Sequence, residues 1–393
     1  MSSFRDEGLP DPSEEVWRYA PLDGLSVDDV DVAESDLDGP LETAIGGRSP
    51  AAVVTIRAGR VASVEFATPS DALDVAADPA PKGLGDLVGA DDAFASLNLA
   101  LTPAPLVIRL REGTALDGPV VLLVECPEGA SFPRLLVHVA RGASMRILEH
   151  VTGDGAALVS SVAEFHVDEN ASLEVCTVQS LGASTISVVR TMARLGRASS
   201  FTQTFAGLGA RYDRVRADAQ LVGDGATSTL HTAHVGTDEQ VHDVRTMQDH
   251  IGQRTVSRLQ SKAAVAGAAR SIYSGLIRMQ HGARRADARQ VNNSLVLSEH
   301  AQADAVPNLD IEENDVRCAH ASTVGPVDAE QRWYLESRGI SPADAVQLII
   351  EGFFADVEEL LDDAVLAAQL RDAISRLDAS DAVAVDDHRA PAT

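Results

Sequence analysis

The 393-residue sequence predicts a mainly β fold built around a parallel β-helix, with helical regions at both ends. Three observations predict it. First, a small residue followed by apolar/polar alternation recurs at Gly142-Ala-Ser-Met-Arg-Ile, Asn170-Ala-Ser-Leu-Glu-Val, Arg197-Ala-Ser-Ser-Phe and Gly225-Ala-Thr-Ser-Thr-Leu. Second, these motifs are evenly spaced: their second positions, 143, 171, 198 and 226, lie 28, 27 and 28 residues apart, with a weaker echo at Thr255, Ala269, Ala286 and Ala301. Self-similarity at a fixed period marks a repeat architecture, and period-2 alternation makes each repeat a set of short strands. Third, aromatics are only 4% against 45% hydrophobic residues, so the core is built from Val, Leu, Ile and Ala, which suits thin stacked rungs. A face-packed antiparallel sandwich, with strands recurring every roughly 8–12 residues, is the alternative this pattern leaves open.

The elements follow in order. Ser13 ahead of Glu14 and Glu15 reads as a capped helix start, and the acid-rich stretch Asp28–Gly47 reads as a linker. Strand patterns begin at Val53-Val-Thr-Ile and Val61-Ala-Ser-Val-Glu-Phe, and a helix is expected over Asp91–Leu99. Strands resume at Leu106-Val-Ile-Arg-Leu, Val120-Val-Leu-Leu-Val, Leu135-Leu-Val-His-Val and Met145-Arg-Ile-Leu. One continuous β-helix is expected from Leu106 to Val316, within a core domain 106–338 that separates a mixed N-terminal region, 1–105, from a helical C-terminal domain, 339–393. That last domain opens on Ser341-Pro-Ala-Asp, an N-cap followed by Pro at the first helical position and an acid in the first turn. Val346, Ile349, Ile350, Phe353, Phe354, Val357, Leu360 and Leu361 then form a wide apolar helix face. A second helical stretch runs to Leu377, followed by an acidic tail.

Composition excludes several functions. Lys and Arg number 32 against 59 Asp and Glu, a net charge of −27. Such a surface repels phosphate backbones and anionic bilayers, so nucleic acid and membrane are not expected partners. Cys126, Cys176 and Cys318 form no CxxC pair, and three cysteines make no disulfide framework, which fits a reducing compartment. With no secretory leader and no apolar run long enough to span a bilayer, the expected location is the cytoplasm. No GxSxG, Walker A or GxGxxG fingerprint is present, and no glycosidase-like carboxylate pair stands out.

Two constellations carry chemistry. In Cys318-Ala-His320, residues i and i+2 of a strand share a face, which sets a thiol beside an imidazole. Both suit iron or zinc, and an imidazolium would lower the thiol's pKa; the plainer reading is a core Cys beside a hydrogen-bonded His. His231, His234, His242 and His250 cluster with Asp238, Asp243 and Asp249; the H-x2-H pair could chelate a metal, but the spacing fits neither HExxH nor a zinc-finger pattern. Turn and inter-rung hydrogen bonding is the simpler role for them. Cys126 and Cys176 read as core residues.

The run Pro307-Asn-Leu-Asp-Ile-Glu-Glu-Asn-Asp-Val-Arg-Cys-Ala-His-Ala-Ser-Thr-Val-Gly, followed by Trp333-Tyr-Leu-Glu-Ser-Arg-Gly-Ile, resembles the SufB/SufD family of the SUF iron–sulfur cluster assembly system. Glu15-Val-Trp-Arg-Tyr, Phe94-Ala-Ser-Leu-Asn98, Asp238-Glu-Gln-Val-His-Asp243, His250, Ser257, Gly275 and Gln290-Val-Asn-Asn293 are similar too. Ala321 after His320, where SufB carries a Glu, places the chain on the SufD side.

The resemblance implies a right-handed parallel β-helix and a non-catalytic scaffold. It implies pairing with a SufB-like paralogue through the β-helix end and with a SufC-like ATPase through the C-terminal helices. It also implies a transient iron–sulfur cluster at the SufB-facing interface, assisted by Cys318 and His320 as the metal-ligand candidates. Phe353, Phe354, Glu358 and Glu359 are the expected ATPase-docking residues, with Asp356 on the same acidic rim; part of this helix is expected to cap the last rung. A reduced flavin on the complex is a further expectation with no residue attached. A polysaccharide-acting β-helix enzyme and a plain structural homodimer are the competing readings.

Overall fold

The computed structural model describes residues 49–377 except 69, 91 and 362, together with Pro10, Trp17, Ala20 and Ala33. The expected helix start at Ser13, the linker Asp28–Gly47 except Ala33, and the acidic tail lie outside the described residues.

The period-2 alternation becomes two ten-stranded sheets that face each other. One has the order β2(Arg60–Phe66), β1(Ala52–Arg57), β5(Val120–Glu125), β8(Ser144–Gly153), β10(Ser172–Leu181), β12(Ser200–Gly207), β14(Thr227–Gly236), β16(Val256–Val265), β18(Asp287–Val296), β20(Arg317–Gly325). The other runs from β3(Leu73–Ala77) through β4(Leu106–Leu110), β7(Arg134–Val139), β9(Ala156–Val167), β11(Ile186–Leu195), β13(Tyr212–Leu221), β15(Val241–His250) and β17(Arg270–Met279) to β19(Gln302–Ile311), with β6(Gly129–Ser131) beside β9. From β4 to β20 every ladder is parallel, and successive strands alternate between the sheets. The fold is therefore a parallel β-solenoid with two long strands per turn, and the antiparallel sandwich is excluded.

The solenoid exceeds the expected continuous span Leu106–Val316 at both ends. β1 already pairs in parallel with β5, ahead of Leu106, and β20 continues past Val316 to Gly325. The ladder also corrects the repeat. Ser144, Ser172, Ser200, Thr227, Val256 and Asp287 stand in one column, so the true third member of the repeat starts one residue later than the sequence pattern suggested. Ala269 and Ala301 belong to the turns of the opposite sheet.

The reason for the slip is local. Two residues before each column member the turn needs positive φ, and Gly142, Asn170, Ala198, Gly225, Arg254 and Arg285 all occupy that place. Glycine adopts this conformation freely and Asn tolerates it, whereas Ala and Arg reach it only under the constraint of their neighbouring rungs.

The interior changes character along the axis. Early rungs enclose Ile108, Leu122, Val137, Ile147, Phe165 and Val175. Later rungs enclose polar columns whose members bond across rungs: Thr232 Oγ1 donates to Ser261 Oγ over 2.9 Å, and Thr246 Oγ1 lies 3.2 Å from the Tyr273 hydroxyl.

Helices cover the two outer flanks. The helix α1(Ala93–Leu101), capped by Asp92, lies on β9. Asn98 Nδ2 donates to the carbonyls of Pro133 and Ser160, and Phe94 stacks on Trp17. At the C-terminus, α2(Ala329–Ser337) leads into α3(Pro342–Leu360) and α4(Ala364–Ser375). Ser341 caps α3 as expected, its side chain accepting from the Asp344 N–H.

The apolar face of α3 does not cap the last rung. It lies on the outer face of the β5–β18 sheet, where Val346, Ile350, Phe354 and Val357 are fully buried in one apolar cluster with Ala206, Ala233 and Ala264. Small side chains there let the helix approach the sheet closely. Lys262 fixes the crossing, its Nζ donating to the Phe353 carbonyl and to Asp356 Oδ1 at 2.6 Å. None of the helices is long and apolar enough to cross a membrane, among the described residues.

Candidate functional site

With the helices on the flanks, β19 and β20 are the last strands of their sheets and carry unpaired backbone edges. Such an edge is a template for another strand unless it is short, charged or covered. Here each edge is about one full rung long and partly apolar. Val306, Leu309, Ile311 and Val324 are 46%, 38%, 47% and 43% exposed, which marks the end as a surface for a partner.

Cys318 and His320 sit on this open rung. Cys318 pairs in the ladder with Ala288 and His320 with Gln290, both buried residues, so the two side chains stand on the inward-facing side of β20 as the strand alternation predicted. With no further rung over them, Cys318 is half-buried and His320 exposed. Cys318 packs beside Ile277, Met279 and Ala288. Burial raises its thiol pKa, and the Asp287 carboxylate adds to the effect. This reverses the sequence expectation of a thiol activated by its histidine. A metal ion binding the thiolate of Cys318 would have to displace its proton, so such binding would strengthen as pH rises. Two ligands are too few for a closed cluster.

The remaining candidates separate. Cys126 and Cys176 are core residues; burial pushes the Cys126 thiol up to about 12. Phe354 is wholly enclosed and is removed from any docking surface, while Phe353 is half-buried under Lys262 Nζ. Asp356 is held by Lys262 and Gln260; burial opposes its charge, but these partners outweigh it and keep its carboxyl below the usual range. Glu358 is paired with Arg371, and Glu359 is exposed.

What sequence reasoning missed on these helices is an aromatic surface: Trp333 and Tyr334 of α2 are 70% and 54% exposed, and Leu348 of α3 is exposed as well. A groove of about 410 Å³ lined by Glu330, Gln331, Tyr334, Leu335 and Ile349 adjoins them. The available signal was two large aromatics in a chain with only nine Phe, four Tyr and two Trp.

The histidine group also separates. His231 lies near Lys262 and Asp356, and His250 is buried with Nδ1 2.7 Å from Thr255 Oγ1 and Nε2 2.9 Å from Ser257 Oγ. His234 and His242 meet inside the solenoid. Burial, with smaller opposing contributions from Asp287 and Arg258, takes His250 down to about 4. Since the unfolded chain binds this proton near pH 6.5, the unfolded state gains protons first on acidification. Stability from His250 is full above pH 6.5 and is lost as pH falls toward 4, by about 2 kcal/mol between pH 7 and pH 5. Urea titrations at the two pH values should show this loss in the parent and a smaller one in His250→Gln.

The fold and site together define a class: a parallel β-solenoid whose uncovered terminal rung offers a thiol and an imidazole beside an unpaired strand edge. The model of the SUF-system FeS cluster assembly SufBD core domain matches residues 122–353, more than half of the chain. The chain is 27% identical to the iron–sulfur cluster assembly protein SufD of Escherichia coli over 374 residues, covering 92% of this chain and 88% of that one. It is 31% identical to SufD of Bacillus subtilis over 288 residues, 72% of this chain and 66% of the other, and 27% identical over 360 residues to a SufBD family protein of Mycobacterium tuberculosis, 89% and 84%. The chain belongs to the SufBD family of iron–sulfur cluster assembly proteins and is SufD-like.

Proposed function

We propose that this protein is the SufD-like, non-catalytic scaffold subunit of a cytoplasmic cluster-assembly complex, in which a SufB-like paralogue docks on the open rung and a SufC-like ATPase on the C-terminal helices. The observation that carries the reading is the uncovered β19/β20 end with Cys318 and His320 on it. A second solenoid ending in the same way would extend both sheets, bury the exposed Val306, Leu309, Ile311 and Val324, and add cluster ligands. Without that paralogue the same edge is open to a second copy, so the isolated chain is expected to form a homodimer. The cluster is cargo built at the junction. Family membership favours this reading over a polysaccharide-acting enzyme. The internal cavity between Ile56, Val159 and Phe205, roughly 50 Å³, is far below the ~300 Å³ of small ligand sites, so a flavin on the complex would bind outside it.

Docking of the ATPase is assigned to the exposed Trp333–Tyr334–Leu348 surface, with Glu359 at its acidic margin, in place of the enclosed Phe354. Buried aromatic anchors dominate interface energetics, so Trp333→Ala should weaken ATPase binding at least about tenfold while leaving the melting temperature unchanged. A titration showing parent affinity for that variant would move the dock elsewhere. Co-expression with SufB-like and SufC-like partners tests the whole assembly: a stable three-component complex is expected, and recovery of this chain alone would overturn the reading.

A further inference from the structure

Inside the solenoid, three rungs back from the strand that carries Cys318, three titratable side chains face one another without hydrogen bonds. Asp213 of β13, His234 of β14 and His242 of β15 are each at most 1% exposed. His234 Nε2 and His242 Nδ1 both lie 3.8 Å from Asp213 Oδ2, and the three ligand atoms fall within 4.8 Å of one another. Both Asp213 oxygens, both His242 nitrogens and His234 Nε2 are buried with no hydrogen-bond partner among the described residues. Buried polar atoms are almost always satisfied, so five orphaned atoms on three side chains, with one ligand atom from each side chain within 4.8 Å of the others, call for an occupant.

The surroundings are shaped for one. A Cβ built on Gly207 would stand 2.5 Å from Asp213 Oδ2 and 2.6 Å from His234 Cδ2, so only glycine leaves this space. Phe205 stacks on the His234 ring at 5.8 Å and holds its plane. The ion-pair partners of Asp213 within 4 Å are these two imidazoles, so a cation of higher charge is what the carboxylate lacks.

We propose that Asp213, His234 and His242 bind one divalent transition-metal ion, zinc or ferrous iron, inside the solenoid and separately from the cluster-building rung. Two imidazoles and one carboxylate are a donor set for such ions, and leave a further coordination position open. Tetrahedral zinc with bonds of about 2.0–2.1 Å needs ligand atoms roughly 3.3–3.5 Å apart, which the two 3.8 Å separations from Asp213 Oδ2 approach to within about half an ångström. Toward the open end the neighbours in the ladder are small: Ala263 and Ser294 follow His234 in its column, and Ser271 and Ala303 follow His242. His234 lies three ladder steps from β20, roughly 14 Å at the spacing of adjacent strands, so the two sites are distinct.

The test uses the full chain carrying Cys318→Ser and His320→Ala, which removes the other ligand candidates. After dialysis against chelator, Co²⁺ is expected to bind at one equivalent with visible d–d bands and no thiolate charge-transfer band, and Zn²⁺ to compete for it. Adding Asp213→Asn or His242→Gln should weaken Zn²⁺ binding at least about tenfold, with folding checked by circular dichroism. Because those variants alter a buried site, X-ray absorption at the zinc edge of the parent double variant gives an independent reading: imidazole and oxygen neighbours, no sulfur. Absence of bound metal, a sulfur shell, or affinity unchanged in folded Asp213→Asn would each overturn the proposal.

Discussion

Replacing Cys318 with Ser, or His320 with Ala, is expected to leave folding and partner assembly intact and to lower cluster yield at least about tenfold, the smaller end of the effect of even an outer ligand-orienting group. The stability cost is small because β20 is the outermost rung: His320 is exposed, and Cys318 is only half-buried beside Met279 and Ala288. Surface changes of this kind stay near half a kcal/mol. The chemical cost is large. Serine keeps the size but offers no soft ligand, and a cluster that usually takes four ligands cannot spare one at a junction where this chain supplies only two. Iron and acid-labile sulfide per purified complex, with melting curves on the same samples, check both halves. Parent cluster content in both variants would return these residues to plain packing roles.

The largest stability effect is expected at the opposite flank, where Arg134 and Glu164 form an ion pair 2.7 Å long with both side chains fully buried. Glu164 also accepts the N–H groups of Gly85, Leu87 and Val88, while Arg134 donates to the Val88 carbonyl and to Asn98 Oδ1 of α1. The pair thereby ties the 85–88 loop and α1 onto the sheet. Arg134→Met leaves a buried carboxylate without its counter-ion, and Glu164→Leu leaves a buried guanidinium and three N–H groups unanswered. Each should cost about 3–5 kcal/mol. The double variant should cost less than the sum, because neither charge is then stranded. Urea unfolding measures all three, and a single-variant loss below about 1 kcal/mol would show that the loop and α1 are held by apolar packing alone.

The legibility of the chain follows the range of each signal. Alternation is local, so strands such as Leu106–Leu110 and Leu135–Val139 were readable, as was the Ser341 cap, whose chemistry is complete within four residues. The rung length was readable because glycine or Asn marks three of the six left-handed turns in that series; Ala198 fills the same turn without that mark, and the register slipped there. An amphipathic helix announces an apolar face but not its destination. The surface of small residues around Ala206, Ala233 and Ala264 that receives Phe354 exists only once the ladder is known. The same holds for Asp213, which lies 21 and 29 residues before His234 and His242 and meets them across the interior, whereas the acids adjacent in sequence, such as Asp243, turn to Arg214 and Tyr212 instead. Cys318 and His320 were found because i and i+2 share a face, but their exposure depended on where the C-terminal helices went.

The central claim is that this chain completes a cluster-building junction only when a paralogous solenoid covers its open rung. Anaerobic purification of the co-expressed complex, with iron and sulfide measured before and after this chain is separated from its SufB-like partner, tests it most directly. The account predicts a stable complex carrying cluster, and loss of the cluster from this chain on separation. A chain that keeps its full complement of iron and sulfide alone, or a complex that forms without ever acquiring them, would contradict it.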